Sequence, residues 1–272
     1  MKIKSTYCSV TIILIFVVFS YASRIPMSNS EALRNSEVII VKGKVIGIDK
    51  DVVRIAKYVF SVSEVIKPKN VELSQEIRII DKHYASTAMI ELEKNMNVVV
   101  YLTKSEDGYI SHREINIDTS IGVYEFKGLK LFLELMSIQQ INKQTISCVN
   151  ALKNSKSSFE KKAVLDAMWE TRNLQYVSAL LNIAKSKEDD RYVRSWAITI
   201  LAYLEDSSAV KELIPLLKDQ SSDVKRQVLV ALGIHKIKEA VPKIEFLLTE
   251  NISEELRQIA QETLKKIKTI DR

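Results

Sequence analysis

The C-terminal part of the chain repeats itself, and a repeat restricts the fold more tightly than any composition does. Phe159, Val193, Val224 and Leu256 align at spacings of 34, 31 and 32 residues. Four positions on come Ala163, Ala197, Val228 and Ala260; eight on come Ala167, Leu201, Leu232 and Leu264. A period of this length with apolar residues at helical spacing predicts stacked two-helix units, each burying its apolar side against the next. In the third unit, Val224, Val228, Leu229 and Leu232 share one face of a helix expected over 222–236, with Ser222 and Asp223 as cap types. Val241, Ile244, Leu247 and Leu248 mark a second helix over 239–250, with Pro242 in the first turn, where a missing N–H breaks no bond. The second unit matches through Val193, Ala197, Ile200 and Leu201, then Val210, Leu213, Leu216 and Leu217. Its Pro215 sits deeper than Pro242 and is expected to bend the helix. The first unit is looser, with Val177, Leu180 and Ile183 in its second helix, and a helix over 253–268 ends the pattern.

The first helices open on Val193-Arg194, Val224-Lys225 and Leu256-Arg257, followed by small or branched residues and then leucine. These units resemble HEAT repeats, in the short form also found in bilin-lyase-like proteins. The resemblance implies an α-helical solenoid over 159–272. It also implies a ladder in which an acidic residue pairs with the basic residue six positions later. Glu188 with Arg194 and Asp219 with Lys225 fit it; Asn251 opposite Arg257 breaks it.

Lys2 and Lys4, then the apolar run Val10–Phe19, then Ser20-Tyr21-Ala22 read as a signal peptide over 1–22, cut after Ala22. The run is shorter than the roughly 20 residues of a membrane span, although an uncleaved anchor is the alternative. Cys8 precedes the apolar run, which excludes it as the lipid-bearing cysteine of a lipoprotein signal. Cleavage leaves Cys148 alone, so no internal disulfide forms. It is either a reactive thiol or a small apolar residue in a helix. The expected location is outside the cytoplasm of a bacterium, periplasmic or secreted, with no membrane span after cleavage and association with the envelope surface allowed by the basic balance.

Residues 36–126 change character. Val38–Val41 and Val45–Ile48 flank Lys42-Gly43-Lys44; Tyr58, Phe60 and Val62 alternate with serines. Ile77–Ile80, Val98–Leu102, Tyr109–Ile117 and Val123–Phe126 read as further strands, Asp107-Gly108 and Pro68 with Asn70 as turns. Short strands at near-regular spacing predict a small barrel or sandwich. The glycine-centred entry strand, Glu64-Val65-Ile66-Lys67 before Pro68, Glu76–Ile80, and Asn97-Val98-Val99-Val100-Tyr101-Leu102 resemble the OB-fold domain of exported bacterial proteins related to tissue inhibitors of metalloproteinases. Those inhibitors engage the protease metal through an N-terminal cysteine pair, and residues 23–36 hold no cysteine. Residues 127–158 are expected to form a helical linker, with Leu131, Leu135 and Ile138 on one side and a serine-rich hinge over 150–158. The fold class is therefore α+β multidomain: an N-terminal OB-like β-barrel, then a HEAT-type solenoid.

His83, His112 and His235 lack partners at metal-ligand spacing, and no phosphate-binding loop or nucleophile elbow occurs. Asp189-Asp190 and Glu254-Glu255 stand at helix starts, where the helix dipole favours acids. No catalytic residue, cofactor or metal is expected. The chain has 40 basic and 34 acidic residues, but 19 against 18 from Phe159 on, too balanced for a nucleic-acid groove. These readings converge on an exported, non-enzymatic protein-binding scaffold. Its face is built from the second helices, with Lys211, Glu212, Lys218, Lys243 and Glu245 off the buried stripes as candidate protein-binding residues. Tyr176 reads either as a contact or as core. The alternatives are inhibition of an envelope or secreted protease through the OB-like domain and, furthest, a bilin-lyase-like enzyme.

Overall fold

The computed structural model describes residues 28–51, 55–68, 71–81 and 92–269. The expected signal at 1–22, Asn70 and His83 lie outside them. The described chain divides into two compact units at Asn116/Ile117.

The first unit opens with a short helix, α1 (Asn29–Arg34), started by a Ser28–Glu31 capping box. Five strands follow: β1 (Ile39–Asp51), β2 (Ile55–Lys67), β3 (Glu76–Asp81), β4 (Asn97–Ser105) and β5 (Gly108–Asn116). They close into a barrel in the order β1-β2-β3-β5-β4. All pairings are antiparallel except β3 with β5, which meet in parallel at Ile79/Tyr109 and Ile80/Ile110. Alternation puts Val41, Val45, Tyr58, Phe60, Ile77, Ile79, Val98, Val100 and Leu102 inside, joined by Leu92. This is the small closed barrel expected from the strand pattern. The two runs on either side of Gly43 are one continuous strand that pairs with β2 on one edge and β4 on the other. Lys67 Nζ donates to the carbonyls of Ala32, Leu33 and Asn35 at the C-terminal end of α1. Burial pushes its pKa below the ordinary lysine value.

The second unit is helical from its start. α2 (Ser120–Met136) contains Val123–Phe126, which the sequence pattern assigned to a strand. Thr119 caps it by accepting from the Gly122 N–H, and buried Leu129, Phe132 and Leu135 continue at helical spacing. Local β propensity yields to this cap and stripe. α3 (Ile141–Asn154) carries buried Cys148 and Leu152 and runs through most of the expected hinge. Two of the serines there are caps: Ser155 ends α3, and Ser157 forms a capping box with Glu160 that starts α4 (Ser158–Thr171). α2 lies so close to α4 that a Cβ at Gly128 would stand 2.9 Å from the Phe159 carbonyl oxygen. The helices of 120–154 are therefore packed parts of the helical unit.

The repeats follow as α4 with α5 (Val177–Lys185), α6 (Arg191–Tyr203) with a divided second helix, α8 (Ser222–Ile234) with α9 (Val241–Thr249), and α10 (Glu254–Lys268). The first helices start on Ser157, Asp190, Ser221 and Ser253, each accepting from a backbone N–H of the first turn. The cap of α8 is thus Ser221, one residue before the expected one. At Pro215 the effect exceeds a bend. The second helix splits into α7 (Ser207–Lys211) and a 3-10 helix, Ile214–Lys218, with Pro215 in its first turn. The stripes are core: Val193, Ala197, Leu201, Val224, Val228, Leu232, Leu256 and Ala260 are all buried. Leu232→Ala is expected to cost about 2–5 kcal/mol. An unchanged melting curve for the variant would refute a packed solenoid at this position.

Candidate functional site

Charged residues do two separate jobs on the solenoid. One is internal. Arg194 is buried and spans three elements: its Nε donates to the Ala184 carbonyl at 3.1 Å, and its two terminal nitrogens donate to both oxygens of Asp219 at 3.3 and 2.5 Å. Burial alone would raise the Asp219 pKa; hydrogen bonds from Arg194 and the Ser221 N–H, with the charges of Arg194 and Lys225, outweigh it and hold the carboxyl below its usual range. The expected ladder therefore runs between units. Asp219 is the partner of Arg194, where Glu188 was expected. Where Asn251 breaks the ladder, Arg257 keeps the other half of the role and donates to the carbonyls of Leu248 (2.8 Å) and Glu250 (3.4 Å).

The second job is a belt along the second helices, and it takes three of the five candidate residues. Lys211 pairs with Glu239 at 2.6 Å, Glu212 with Lys185 at 2.6 Å, and Glu245 with Lys268 at 2.7 Å. The Lys211 ammonium holds the Glu239 carboxyl below its ordinary pKa. These exposed pairs contribute little stability each, but they fix which charges face each other across the units.

Lys218 and Lys243 are in neither arrangement. Both are exposed and border a groove of about 250 Å³ between the second helices of the second and third units. Its other walls are Ile214, Pro215, Leu217, Phe246, Leu247 and Glu250. One wall of the groove is the 3-10 segment that holds Pro215, and the other is α9. Phe246 is 56% exposed. The structure thus brings Lys218 and Lys243 together in one site, and places Lys211, Glu212 and Glu245 in the belt. Phe246, Pro215 and Ile214 were not among the candidates. Phe246 could have been found as the aromatic that falls off the stripe of Val241, Ile244, Leu247 and Leu248.

Other sites resolve into packing. Tyr176 is fully buried, its hydroxyl 2.9 Å from Thr171 Oγ1, and is core. Burial raises the pKa of Cys148, with a hydrogen bond to Tyr176 acting the other way, so the thiol is not poised for reaction. His235 joins two units, with Nδ1 3.1 Å from Ser207 Oγ and Nε2 3.0 Å from the Ala202 carbonyl oxygen. On the first helices, Trp169 packs against Trp196 (5.5 Å between centroids) and edge-on against Tyr203 (5.3 Å), with Arg172 over its ring. Among the described residues, no group of three or more His, Cys, Asp or Glu is placed to hold a metal ion, and no helix is long and apolar enough to cross a membrane.

A search of curated proteins returned no match to this chain. A sequence model of the HEAT repeats matches residues 177–265, from α5 into α10, the stretch whose helices, caps and inter-unit arginines are described above. The C-terminal part of this protein is a HEAT-repeat array.

Proposed function

We propose that this chain is an exported, non-enzymatic protein-binding scaffold whose contact surface is the groove bordered by Pro215, Lys218, Lys243 and Phe246. HEAT repeats suggest a protein-interaction scaffold. The single observation that carries the choice of surface is the exposed Phe246 beside two lysines left out of the ion-pair belt. An aromatic ring held in water at the rim of a preset groove is what a binding anchor looks like before its partner arrives. The stacked helices are already ordered, so little conformational freedom is lost on association. Export rests on the basic start, apolar run and small residues of 1–22.

Two measurements test this. A photo-crosslinking residue placed at Glu250, on the groove wall, is expected to trap a protein in intact cells, and one placed at Glu262 on α10 is not. Equal trapping at both, or none at Glu250, removes the groove as the surface. N-terminal sequencing of the exported product is expected to begin at Ser23; a product retaining Met1 defeats the cleavage reading.

A further inference from the structure

The groove has a charge pattern as well as a shape, and the pattern specifies a ligand. By the alignment of the two units, Leu213 matches Ile244 and Leu217 matches Leu248, so Pro215 stands level with Phe246 and Lys218 level with Thr249. Lys243 therefore lies one turn before the Pro215–Phe246 centre and Lys218 one turn after it. The six residues from 243 to 249 rise about 9 Å along a helix. The two lysines thus border the apolar centre from its opposite ends.

Three of the four neighbouring glutamates are occupied. Glu212, level with Lys243, is paired with Lys185; Glu245 is paired with Lys268; Glu239 is paired with Lys211. Glu250 lies on the wall at the Lys218 end. The Lys243 end is consequently the more positive.

Resting on the protein-binding reading above, we propose that the occupant is an acidic peptide segment, with an apolar or aromatic side chain seated between Pro215 and Phe246 and carboxylates on either side of it. In an extended segment, side chains two residues apart share a face and stand about 7 Å apart, so acids two positions before and two positions after the apolar residue face the protein on the same side as it does, within reach of the two flexible lysine side chains. The carboxylate facing Lys243 carries the larger share of recognition, because the one wall glutamate outside the ion-pair belt, Glu250, stands at the Lys218 end. A positively charged segment is repelled at the Lys243 end.

The test is an unbiased selection. Random twelve-residue peptides displayed on phage are selected in parallel on the full chain without residues 1–22 and on the Phe246→Ala form of the same chain. The expected result is enrichment of Asp or Glu within three residues of Phe, Leu or Trp on the first protein and its loss on the second. A synthetic peptide of the enriched sequence should bind about tenfold more weakly to Lys243→Glu, with a smaller loss for Lys218→Glu. Exchanging its carboxylate for lysine should restore binding to Lys243→Glu, a rescue that a misfolded variant could not show. Basic or uncharged winners, enrichment that survives Phe246→Ala, or no enrichment would overturn the proposal. Sedimentation with phosphatidylcholine–phosphatidylglycerol vesicles that depends on Phe246 would also overturn it, in favour of an anionic lipid surface. Trapping of a protein from position 250 alongside a failed selection would leave the protein-binding reading standing and remove the acidic ligand alone.

Discussion

Arg194→Ala should destabilise the helical unit by about 3–5 kcal/mol, the range for removing one partner of a buried ion pair. The side chains of Arg194 and Asp219 are only 8% and 11% exposed. Truncation leaves the Asp219 carboxylate with the Ser221 N–H as its remaining close donor and the Ala184 carbonyl without the arginine. For a unit of this size the melting transition should fall by roughly 6–20 °C, read as helical ellipticity against temperature. Arg194→Lys keeps the charge but loses the fork and the Nε bond, and should fall between the two. The double variant Arg194→Met with Asp219→Leu removes both charges and should recover much of the loss. A double variant as unstable as Arg194→Ala would show that packing, not an abandoned charge, is responsible. Acid supplies an independent check. Because the folded-state pKa of Asp219 lies below its ordinary value of 3.8, the stabilisation is complete above that value and disappears as pH falls through the lower, folded-state one. The stability gap between the wild-type chain and Asp219→Asn should therefore close in strong acid and be constant near neutrality.

Gly43→Val should cost the barrel more than about 4 kcal/mol, in the class of substitutions that defeat a fold. A Cβ at Gly43 would lie 2.1 Å from the Ser61 carbonyl oxygen and 2.7 Å from the Phe60 ring. The carbonyl belongs to the strand paired with β1 and cannot retreat without opening that ladder; the ring belongs to the barrel core. Gly47→Ala makes the control: its Cβ would meet only the Val59 side chain, at 3.3 Å. Hydrogen exchange should show protection lost across β1–β5 in Gly43→Val and retained in Gly47→Ala. Retained protection in both would mean that β1 does not need a glycine to bend.

The solenoid was legible because its period and its stripe are the same signal: the residues that recur are the residues that are buried. The barrel was legible for the same reason, through the alternation of Tyr58, Phe60 and Val98, Val100, Leu102. Residues 123–126 misled because Val123, Tyr124 and Phe126 favour strands locally, whereas Thr119 and the stripe from Leu129 to Leu135 decide the outcome. Serines at 155, 157 and 158 read equally as hinge or cap until the helix that follows is seen. At the candidate site, position off the stripe identified exposed charges but not their partners. Lys211 finds Glu239 and Arg194 finds Asp219 across a unit boundary, and that register is set by how the helices stack. Only after those pairs are removed do Lys218 and Lys243 stand apart.

The stacking of Trp169, Trp196 and Tyr203 has a spectroscopic consequence. The chain contains two tryptophans, and both lie in this one cluster, on the facing first helices of the first two repeats. Indole emission therefore reports on a single junction of the solenoid. It is blind to the barrel, whose aromatic core is tyrosine and phenylalanine, and a fluorescence melt of the whole protein would record the loosening of one helix pair as if it were the unfolding of everything.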